Sequence, residues 1–470
     1  MRKLPFAFGT IHFTGIGGIG MSGIAEVMHN LGYRVQGSDL SSNGNVKRLK
    51  DLGVKVIIGQ RAENLKDVSA IVISSAIPES NAEFAAARKM QIPVVKRADM
   101  LAELMRLKWC VSVAGTHGKT TTTSMVGAVL EAGSFDPTVI NGGIVNAYGS
   151  NTRLGEGDWM VVEADESDGS FVKLPATIAV VTNIDPEHLD FYGDFDGVKQ
   201  AFRTFVEKVP FYGAIVMCMD HPEVQSMIPH ILDRKIITYG FSHQADVHIK
   251  GLEFKNGEAE FSLKISAHVT GDEHEIDGFK LHMPGRYNVQ NAAAAIAVGL
   301  EMGLGEKELH AAFESFQGVK RRFTKVGEVG GVSIIDDYGH HPVEIAAALE
   351  AAREAYSGKT IAVVQPHRYS RLQSLFEDFC MAFNDADTVI VAPVFEAGEQ
   401  PIAGVDSAAL AAGLKKHGLK EVYTIEGDAE LAPLLHSLAK KGDLVVCLGA
   451  GSISAWANAL PDQINELLKS

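Results

Sequence analysis

The sequence predicts an α/β protein of three domains, and three features support this fold class. Short apolar segments alternate with helical patterns along almost the whole chain, as in βαβ units that build parallel sheets. The chain has 470 residues, which is too long for a single hydrophobic core. The segment FQGVKRRF interrupts the alternation, which restarts at VSIIDD. We therefore predict domains over residues 1–106, 107–319 and 320–470.

The composition is that of an ordinary soluble globular protein, with 46% hydrophobic and 21% charged residues. The formal net charge of -15 disfavours a nucleic-acid partner, which would require basic patches. The start of the chain, MRKLPFAF, has a basic tip before apolar residues, but the glycines that begin at Gly15 would break a membrane-inserting helix. We expect neither a signal peptide nor membrane insertion.

The four cysteines indicate the compartment. Cys110, Cys218, Cys380 and Cys447 are scattered and form no C-x-x-C pair, so neither a disulfide framework nor a thiolate zinc site is predicted. A reducing cytoplasm is the expected location. The sequence leaves a monomer and a homodimer equally open.

The first domain carries a glycine loop between a strand and a helix. IHFTG, YRVQGSD and AIVISSAI are predicted strands, and residues 21–31 a helix. Gly15, Gly17 and Gly20 form G-x-G-x-x-G between the first strand and the helix, and Asp39 ends the next strand. Such glycines let backbone amides and a helix N-terminus approach a pyrophosphate. A Rossmann-like domain with a diphosphate ligand is predicted, but NAD and a UDP-sugar would look alike.

The second domain begins with a second glycine loop, AGTHGKTTTT, directly after the predicted strand WCVSVAG. The usual nucleotide loop would place a glycine where Val113 stands, so the spacing is unusual. Lys119 can nevertheless reach the β- and γ-phosphates, and Thr120 can offer its hydroxyl to Mg²⁺. We predict a P-loop-type α/β domain that binds ATP.

Two acidic segments follow the next predicted strands of this domain, WMVVEADESD and TIAVVTNIDPEHLD. If both strands neighbour the strand of the loop, their ends meet it at one sheet edge. A carboxylate and an imidazole there could hold Mg²⁺, although solvated loops with a capping aspartate remain the alternative. The candidate side chains are Glu163, Asp165, Glu166, Asp168, Asp185, Glu187, His188 and Asp190.

The second domain ends with extra β hairpins and a helix. After Tyr239 the sequence alternates in the manner of hairpins, and Asn256-Gly257 predicts a type I′ turn. The segment NVQNAAAAIAVGLEMG is apolar on most faces and is predicted to be a buried helix.

The third domain repeats the strand-helix alternation through VSIIDD, TIAVVQ, TVIVAP, EVYTIE and DLVVCLG. Pro342 suits the first turn of a helix, so the preceding pair of histidines is interpreted as a corner near a substrate and not as a metal site. GAGS, residues 449–452, is interpreted as a tight turn between a strand and a helix.

The segment QPHRYSR follows the strand TIAVV and is predicted to begin a helix. His367, Arg368 and Arg371 would then lie at the carboxyl end of a strand, with the two arginines on one helical face. Guanidinium groups can grip a small carboxylate bidentately. An exposed basic turn that pairs with nearby acids is the alternative.

Six segments together resemble the Mur ligases of peptidoglycan synthesis: GTHGKTTT, EADESD, NIDPEHLD, PGRYNVQNAAAA, DDYGHHP and QPHRYSR. The resemblance extends over nearly the whole chain. It implies a first domain that holds a UDP-sugar, a middle domain that holds ATP, and a Rossmann-like last domain for the amino acid and part of the nucleotide. It also implies an ATP-driven amide ligation through an acyl phosphate, with UDP-N-acetylmuramate, L-alanine and ATP as substrates and Mg²⁺ as cofactor.

The resemblance also implies the roles of individual residues. The residues expected at the UDP-sugar are Gly15, Gly17, Gly18, Gly20, Ser38, Asp39, Ser74 and Ser75. The residues expected at ATP are Gly115, Thr116, His117, Gly118, Lys119, Thr120, Thr121, Asn291, Arg322 and Asp336. The residues expected at the amino acid are Tyr338, His340, His367, Arg368 and Arg371.

The same resemblance implies the metal and catalytic groups. Thr120 and Glu163 are expected on one magnesium ion, and Glu163 with His188 on a second. Lys119, Glu163 and His188 are the expected catalytic residues. Other members carry a modified lysine after the acidic motif, but the stretch ESDGSFVKL gives no reason to assign that part to Lys173.

Three other functions stay open at this point. A ligase that recycles a ready-made tripeptide onto the same UDP-sugar would share the motifs of the first two domains. An NAD-dependent oxidoreductase would explain the first loop and Asp39 but not the second loop. An ATP-binding regulatory module would bind nucleotide without releasing phosphate.

Overall fold

The structure, a computed structural model, describes residues 9–255 and 257–469, without the side chain of Asp190. The basic and apolar residues at the start of the chain lie outside the described residues. So does Asn256 of the predicted type I′ turn.

The first domain contains a five-stranded parallel sheet with the strand order β3-β2-β1-β4-β5. This order, with β1 at the centre, is that of a Rossmann-like fold. The elements are β1 (Thr10–Thr14), α1 (Ile19–Asn30), β2 (Val35–Asp39), α2 (Gly44–Asp51), β3 (Lys55–Ile58), β4 (Val68–Ile73), α3 (Ala82–Lys89), β5 (Val94–Lys96) and α4 (Arg97–Met105).

The central domain contains a ten-stranded sheet with the order β15-β14-β13-β12-β11-β10-β6-β9-β7-β8. Its elements are β6 (Trp109–Ala114), α5 (Lys119–Ala132), β7 (Thr138–Val145), β8 (Ser150–Arg153), β9 (Trp159–Glu163), β10 (Ile178–Val181), α6 (Leu189–Tyr192), α7 (Phe195–Glu207), β11 (Ala214–Cys218), α8 (Pro222–Met227), β12 (Lys235–Gly240), β13 (Val247–Lys255), β14 (Glu258–Ile265), α9 (Ala267–Thr270), β15 (His274–Leu281), α10 (Arg286–Glu301) and α11 (Glu306–Glu314). Strand β6 is parallel to both its neighbours, β9 and β10.

The third domain contains a six-stranded sheet with the order β16-β17-β21-β18-β19-β20, in which β16 alone runs antiparallel to its neighbour. Its elements are β16 (Thr324–Val329), β17 (Val332–Asp337), α12 (Pro342–Ala355), β18 (Thr360–Val364), α13 (Tyr369–Ser374), α14 (Phe376–Met381), β19 (Thr388–Val391), α15 (Ser407–Lys416), β20 (Val422–Thr424), α16 (Asp428–Leu438), β21 (Leu444–Leu448) and α17 (Ile453–Leu467). Apolar clusters that include Phe379 and Leu460 cover its two faces.

The predicted fold class is confirmed, since three α/β sheets follow one another along the chain. Every segment that the sequence marked as a strand contains one, and α12 begins at Pro342 as predicted. The strands that the sequence analysis did not predict include β3, β5, β7, β8, β11, β12 and β16. Strands β3 and β5 form the two edges of the first sheet. They are only partly buried, so they lack the continuous run of apolar residues that marks a buried strand.

Contacts within the described residues divide the chain into two compact units. The first unit contains the five-stranded sheet and most of the ten-stranded sheet, and the second contains the six-stranded sheet. The predicted boundaries after residues 106 and 319 stay predictions. The units comprise the described residues of 1–250, 262–279 and 290–317, and those of 251–261, 280–289 and 318–470.

Two expectations about the chain as a whole can be compared with the structure. All four cysteines are buried and free. Within residues 9–255 and 257–469, no helix has both the length and the apolar character needed to cross a membrane.

A buried carboxylate accepts hydrogen bonds from several segments of the first domain. Glu83 of α3 is fully buried and accepts hydrogen bonds from the Thr14 hydroxyl (2.8 Å), the Ser38 hydroxyl (2.7 Å) and the Asn64 amide (2.6 Å). The His12 ring nitrogen Nε2 lies 3.1 Å from its carboxylate. Burial by itself would raise the pKa of Glu83, but these hydrogen bonds outweigh burial and hold the pKa below its usual value.

We expect Glu83→Ala to destabilise the first domain, because it leaves several buried donors without an acceptor. Breaking a buried hydrogen-bonded charge costs about 3 kcal/mol. Urea unfolding followed by circular dichroism checks this, with Glu79→Ala as the control, since Glu79 is exposed. Equal unfolding midpoints for the two variants would contradict the role given to Glu83.

Candidate active site

The first glycine loop joins β1 to α1 at the carboxyl end of the central strand of the first sheet. Gly15 has a φ of 77°, which a side chain rarely adopts. Its amide donates to the Ser38 carbonyl (2.8 Å), and the Gly17 amide donates to Oδ2 of Asp39 (2.8 Å). The Asp39 carboxylate thus accepts the hydrogen bond of a loop amide that the sequence analysis expected to donate to a diphosphate.

The structure brings the other predicted UDP-sugar residues to the same sheet edge. Asp39 ends β2, and Ser74 and Ser75 follow β4, while β2 and β4 are the two neighbours of β1. Ser38 is different, because its side chain is fully buried and its hydroxyl donates to Glu83. Ser38 therefore contacts the loop through its carbonyl and not through its hydroxyl.

The second glycine loop joins β6 to α5 and is held from two sides. The His117 amide donates to Oδ1 of Asn183 (2.6 Å), and the Thr182 hydroxyl donates to the His117 carbonyl (2.7 Å). Gly118 has a φ of 81°, and a β-carbon there would lie 2.8 Å from Oδ1 of Asn291. A side chain at this position is therefore excluded both by backbone strain and by space.

Asn291 and the threonines of the loop lie close to the glycine loop, and their expected contacts with ATP stay predictions. Asn291 is on α10, is 5% exposed, and faces Gly118. Thr120 and Thr121 are in the first turn of α5 and are buried. Helix α5 thus begins with its amides at the loop, which is the arrangement that binds phosphate in other proteins.

The Lys119 ammonium makes three contacts with protein groups. It donates to the carbonyls of Gly115 (2.7 Å) and Thr116 (2.9 Å) and to Oε1 of Glu166 (3.0 Å). Burial alone would lower the pKa of Lys119, but Glu166, Asp165 and other carboxylates raise it above its usual value. The ammonium is therefore charged at neutral pH although its side chain is only 13% exposed.

Thr120 and Glu163, which the resemblance places on one magnesium ion, are in contact. The Thr120 hydroxyl donates to Oε2 of Glu163 (2.9 Å), which also accepts from the Gly142 amide (2.7 Å). Neighbouring ligands of an octahedral Mg²⁺ are about 2.9 Å apart, given metal-oxygen distances of about 2.1 Å. The two oxygens therefore fit adjacent positions in one coordination sphere.

His188 lies in a second group of possible metal ligands. Its Nε2 is 3.6 Å from Glu187, and one ligand atom from each of Glu166, Glu187 and His188 lies within 4.8 Å of the others. In the described part of the chain Glu163 does not belong to this group. The pairing of Glu163 with His188 on one ion stays a prediction.

Asp185 and Asp168 have local partners. The Asp185 carboxylate lies 3.5 Å from both His117 and His221. It is therefore close to the second glycine loop, which contains His117. The Asp168 carboxylate accepts from the amide (3.0 Å) and the hydroxyl of Ser170. Asp168 thus has a local partner, although the residue that caps the following short helix is Gly169 and not Asp168.

Arg97, at the start of α4, is a residue that the sequence analysis missed. Its guanidinium NH1 is 3.1 Å from the position of a β-carbon on Gly20, in the first loop. Its NH2 is 3.8 Å from Asp165, in the acidic segment. No motif surrounds Arg97 in the sequence. Its position beside the first glycine loop and the acidic segment can therefore be recognised only from the structure. Lys173, by contrast, pairs with Asp99 (2.9 Å) and is half exposed.

Four side chains of the second unit form an aromatic row. The ring centroids of Tyr338 and His340 are 5.2 Å apart, those of His340 and His367 are 5.7 Å apart, and those of His367 and Phe395 are 5.5 Å apart. NH1 of Arg371 is 3.3 Å from Nδ1 of His367. An arginine can only donate, so Nδ1 accepts and the neutral ring carries its proton on Nε2.

His367 remains neutral over a wide pH range. Burial, His340 and the guanidinium groups of Arg371 and Arg368 lower the pKa of His367 to about 4. The predicted residues Tyr338, His340, His367 and Arg371 are thus brought together, with the Arg371 guanidinium beside the neutral His367 ring.

Arg322 and Asp336 both precede this row in the chain. The guanidinium carbon of Arg322 is 5.2 Å from the centre of the Tyr338 ring, and that of the neighbouring Arg321 is 4.6 Å from it. Asp336 is 2% exposed and accepts from the Ser454 hydroxyl (2.8 Å). Burial raises its pKa, although Ser454 and Arg321 oppose this.

The prediction that Arg368 and Arg371 share a helical face is wrong. Helix α13 begins at Tyr369, and Arg368 precedes it with φ 72° and ψ 136°. The Arg368 amide donates to the Phe395 carbonyl (2.9 Å), which holds the backbone out of the helix. Its guanidinium lies 4.0 Å from Glu399 and is half exposed, as the alternative for this segment proposed.

Comparisons with known proteins identify relatives over the whole chain. Residues 10–109 match the family described as Mur ligase family, catalytic domain, residues 113–299 match the Mur ligase middle domain, and residues 321–451 match the Mur ligase, glutamate ligase domain. A curated UDP-N-acetylmuramate–L-alanine ligase of Rhodospirillum rubrum is 61% identical over 99% of this chain and 96% of its own. Its counterpart in Xanthobacter autotrophicus is 61% identical over 99% of both chains.

Solved structures give the same result. The crystal structure of a UDP-N-acetylmuramate-alanine ligase from Thermotoga maritima matches with a TM-score of 0.82 and 28% identity, over 98% of this chain and 100% of that one. A murein peptide ligase from Psychrobacter arcticus matches with a TM-score of 0.69 and 20% identity, over 97% of this chain and 99% of that one. At this lower identity the likeness concerns the fold alone.

We expect valine substitutions in the two loops to separate the two phosphate ligands. Gly15→Val should weaken UDP binding by roughly tenfold or more and leave the binding of an ATP analogue unchanged, and Gly118→Val should do the reverse. Calorimetry with UDP and AMP-PNP measures both affinities. Gly32→Val is the control, since Gly32 also has a positive φ (86°) but open space around it. Loss of both ligands from either loop variant would contradict two separate sites.

We expect His367 to stay neutral until the pH falls to about 4. Its ring resonances, assigned by their loss in His367→Gln, should not shift in an NMR titration between pH 8 and about 5. In Arg371→Leu the titration should move to higher pH, because one of the cations that lower the pKa is removed. A midpoint near the ordinary value of 6.5 in the unsubstituted protein would contradict this assignment.

Proposed function

This chain belongs to the Mur ligase family, and we propose on that premise that it joins L-alanine to the lactyl carboxylate of UDP-N-acetylmuramate, with conversion of ATP to ADP. The observation that carries the proposal is the full-length similarity to curated UDP-N-acetylmuramate–L-alanine ligases. The product is a peptidoglycan precursor. Two glycine loops on two sheets support the proposal, since the reaction uses two phosphorylated substrates.

In the first step the lactyl carboxylate attacks the γ-phosphate of ATP, which gives an acyl phosphate and ADP. Lys119, which is charged and almost buried, would neutralise charge on the phosphoryl group during transfer. The amides at the start of α5 would bind the other phosphates. Magnesium, for which Thr120 and Glu163 supply oxygen ligands, would stabilise phosphate charge when bound.

In the second step the amine of L-alanine displaces phosphate through a tetrahedral intermediate. The L-alanine carboxylate needs a cationic partner, and a nearby cation also favours the uncharged, nucleophilic form of the amine. Arg371 offers such a cation, and the neighbouring His367 is neutral. We assign the L-alanine carboxylate to Arg371, with Nε2–H of His367 as a second donor.

We further propose that the substrate is a free amino acid and not a tripeptide. In L-alanine the carboxylate is two bonds from the attacking nitrogen, whereas the terminal carboxylate of a tripeptide lies much further away. Arg368, whose guanidinium points to Glu399, is a weaker candidate for this contact. We place the reaction in the cytoplasm, where ATP is available and buried thiols stay reduced.

The proposal predicts that phosphate release requires ATP, UDP-N-acetylmuramate and L-alanine together. With equal concentrations of L-alanine or of the tripeptide L-alanyl-γ-D-glutamyl-diaminopimelate, release should be at least roughly tenfold faster with L-alanine. A coupled phosphate assay measures this, with mixtures that lack one substrate as controls. Faster release with the tripeptide would identify a recycling ligase, and ATP binding without any release would identify a regulatory module.

A further inference from the structure

The Lys119 ammonium is fully engaged by the protein. An ammonium has three N–H donors, and Lys119 has three acceptors: two loop carbonyls and the Glu166 carboxylate. Nζ is also 2.8 Å from Oε2 of Glu166. A phosphate can therefore reach this ammonium only by replacing one of these acceptors.

Glu166 is the acceptor that phosphate would replace. The two carbonyls belong to the loop itself, residues 115–118, and cannot leave without unfolding it. Glu166 is a separate side chain, 2% exposed, and its two carboxylate oxygens lie 3.0 Å and 2.8 Å from Nζ of Lys119. A phosphate and this carboxylate are both anions, so either can accept a charge-assisted hydrogen bond from the Lys119 ammonium.

Glu166 has a second possible partner once Lys119 leaves. Its carboxylate is within 4.8 Å of ligand atoms of Glu187 and His188. A buried carboxylate without a counter-ion is strongly disfavoured. A divalent cation that binds these three side chains would replace the charge that Lys119 withdraws.

We propose that Glu166 is a positioning residue that holds Lys119 in the nucleotide-free enzyme, releases it to the γ-phosphate, and then binds a divalent cation with Glu187 and His188. The proposal rests on the proposed function only in that the second loop binds ATP. If nucleotide bound without a cation, the Glu166 carboxylate would lose its counter-ion. If a cation bound without nucleotide, it would have to displace the Lys119 ammonium from Glu166. Each ligand therefore strengthens the binding of the other, and by the same factor.

Calorimetry of AMP-PNP binding with EDTA and with MgCl₂ tests the exchange. In Glu166→Gln the lysine is held only by neutral acceptors, so we expect metal-free AMP-PNP to bind roughly tenfold tighter than in the unsubstituted enzyme. The gain from magnesium should shrink by a similar factor. A merely structural role for Glu166 would weaken binding under both conditions, and that result would overturn the proposal.

Glu187→Gln is the matched control. It removes a carboxylate from the same group of three but not from Lys119. We expect it to reduce the gain from magnesium without tightening metal-free binding. Tighter metal-free binding in Glu187→Gln as well would attribute the effect to net charge and overturn the proposal.

A nucleotide-free measurement keeps the proposal testable if Glu166→Gln does not fold. Lys119→Met should bind Mn²⁺ roughly tenfold more tightly than the unsubstituted enzyme, as followed by electron paramagnetic resonance, because Glu166 is released. The double variant Lys119→Met/Glu166→Gln should lose this gain. Equal Mn²⁺ affinities of Lys119→Met and the unsubstituted enzyme would overturn the proposal.

The outcomes also separate this inference from the proposed function. If AMP-PNP binds to none of the variants nor to the unsubstituted enzyme, the ATP assignment of the second loop is wrong, and the inference falls with it. If AMP-PNP binds normally but Glu166→Gln leaves metal-free affinity unchanged, the inference alone is wrong.

Discussion

The parallel pairing of β6 with β9 and β10 is the constraint on which the candidate site depends. Val113 lies opposite Glu163, and Ala114 lies opposite Val181, so the residues that follow each strand emerge at one level. A shift of two residues would move Glu163 by about 7 Å, well beyond the reach of Thr120. The register is fixed because all three strands are buried on both faces, so a shift would expose apolar side chains or bury polar ones.

Two partly buried lysines, Lys108 and Lys119, differ in whether a carboxylate is among their hydrogen-bond acceptors. Lys108 donates to the Thr138 hydroxyl and to the carbonyls of Gly155 and Gly157, and burial lowers its pKa. All three acceptors are neutral, and they lie at the start of β7 and in the loop between β8 and β9, so the contacts fix that loop. Lys119 has a carboxylate among its acceptors, and its pKa is raised. An ion pair of this kind can exchange one anion for another, whereas the contacts of Lys108 offer nothing to exchange.

The sequence predicted those parts of the fold and site that depend on local pattern. Strand ends, the two loops and the Thr120–Glu163 contact follow from short motifs and from the rule that parallel strands share an edge. Contacts between distant segments could not be predicted, because no local pattern records them. Glu83 and Arg97 are examples, since their partners are set by sheet order. The prediction for Arg368 was wrong because its backbone has a positive φ just before the helix, and an arginine in the sequence does not indicate such a conformation.

Both glycine loops hold a carboxylate of the protein at the place where the proposed function requires a phosphate. In the first loop Asp39 accepts from the Gly17 amide, and in the second Glu166 accepts from Lys119. Amides and ammonium groups that are withdrawn from water need an acceptor, and an internal carboxylate supplies it when no ligand is bound. The carboxylate also sets a threshold, because a ligand must satisfy the donor better than the carboxylate does. A diphosphate or triphosphate passes this threshold with several oxygens, whereas a neutral ligand cannot. Under the proposed function, the same internal anions would therefore make each loop selective for phosphate.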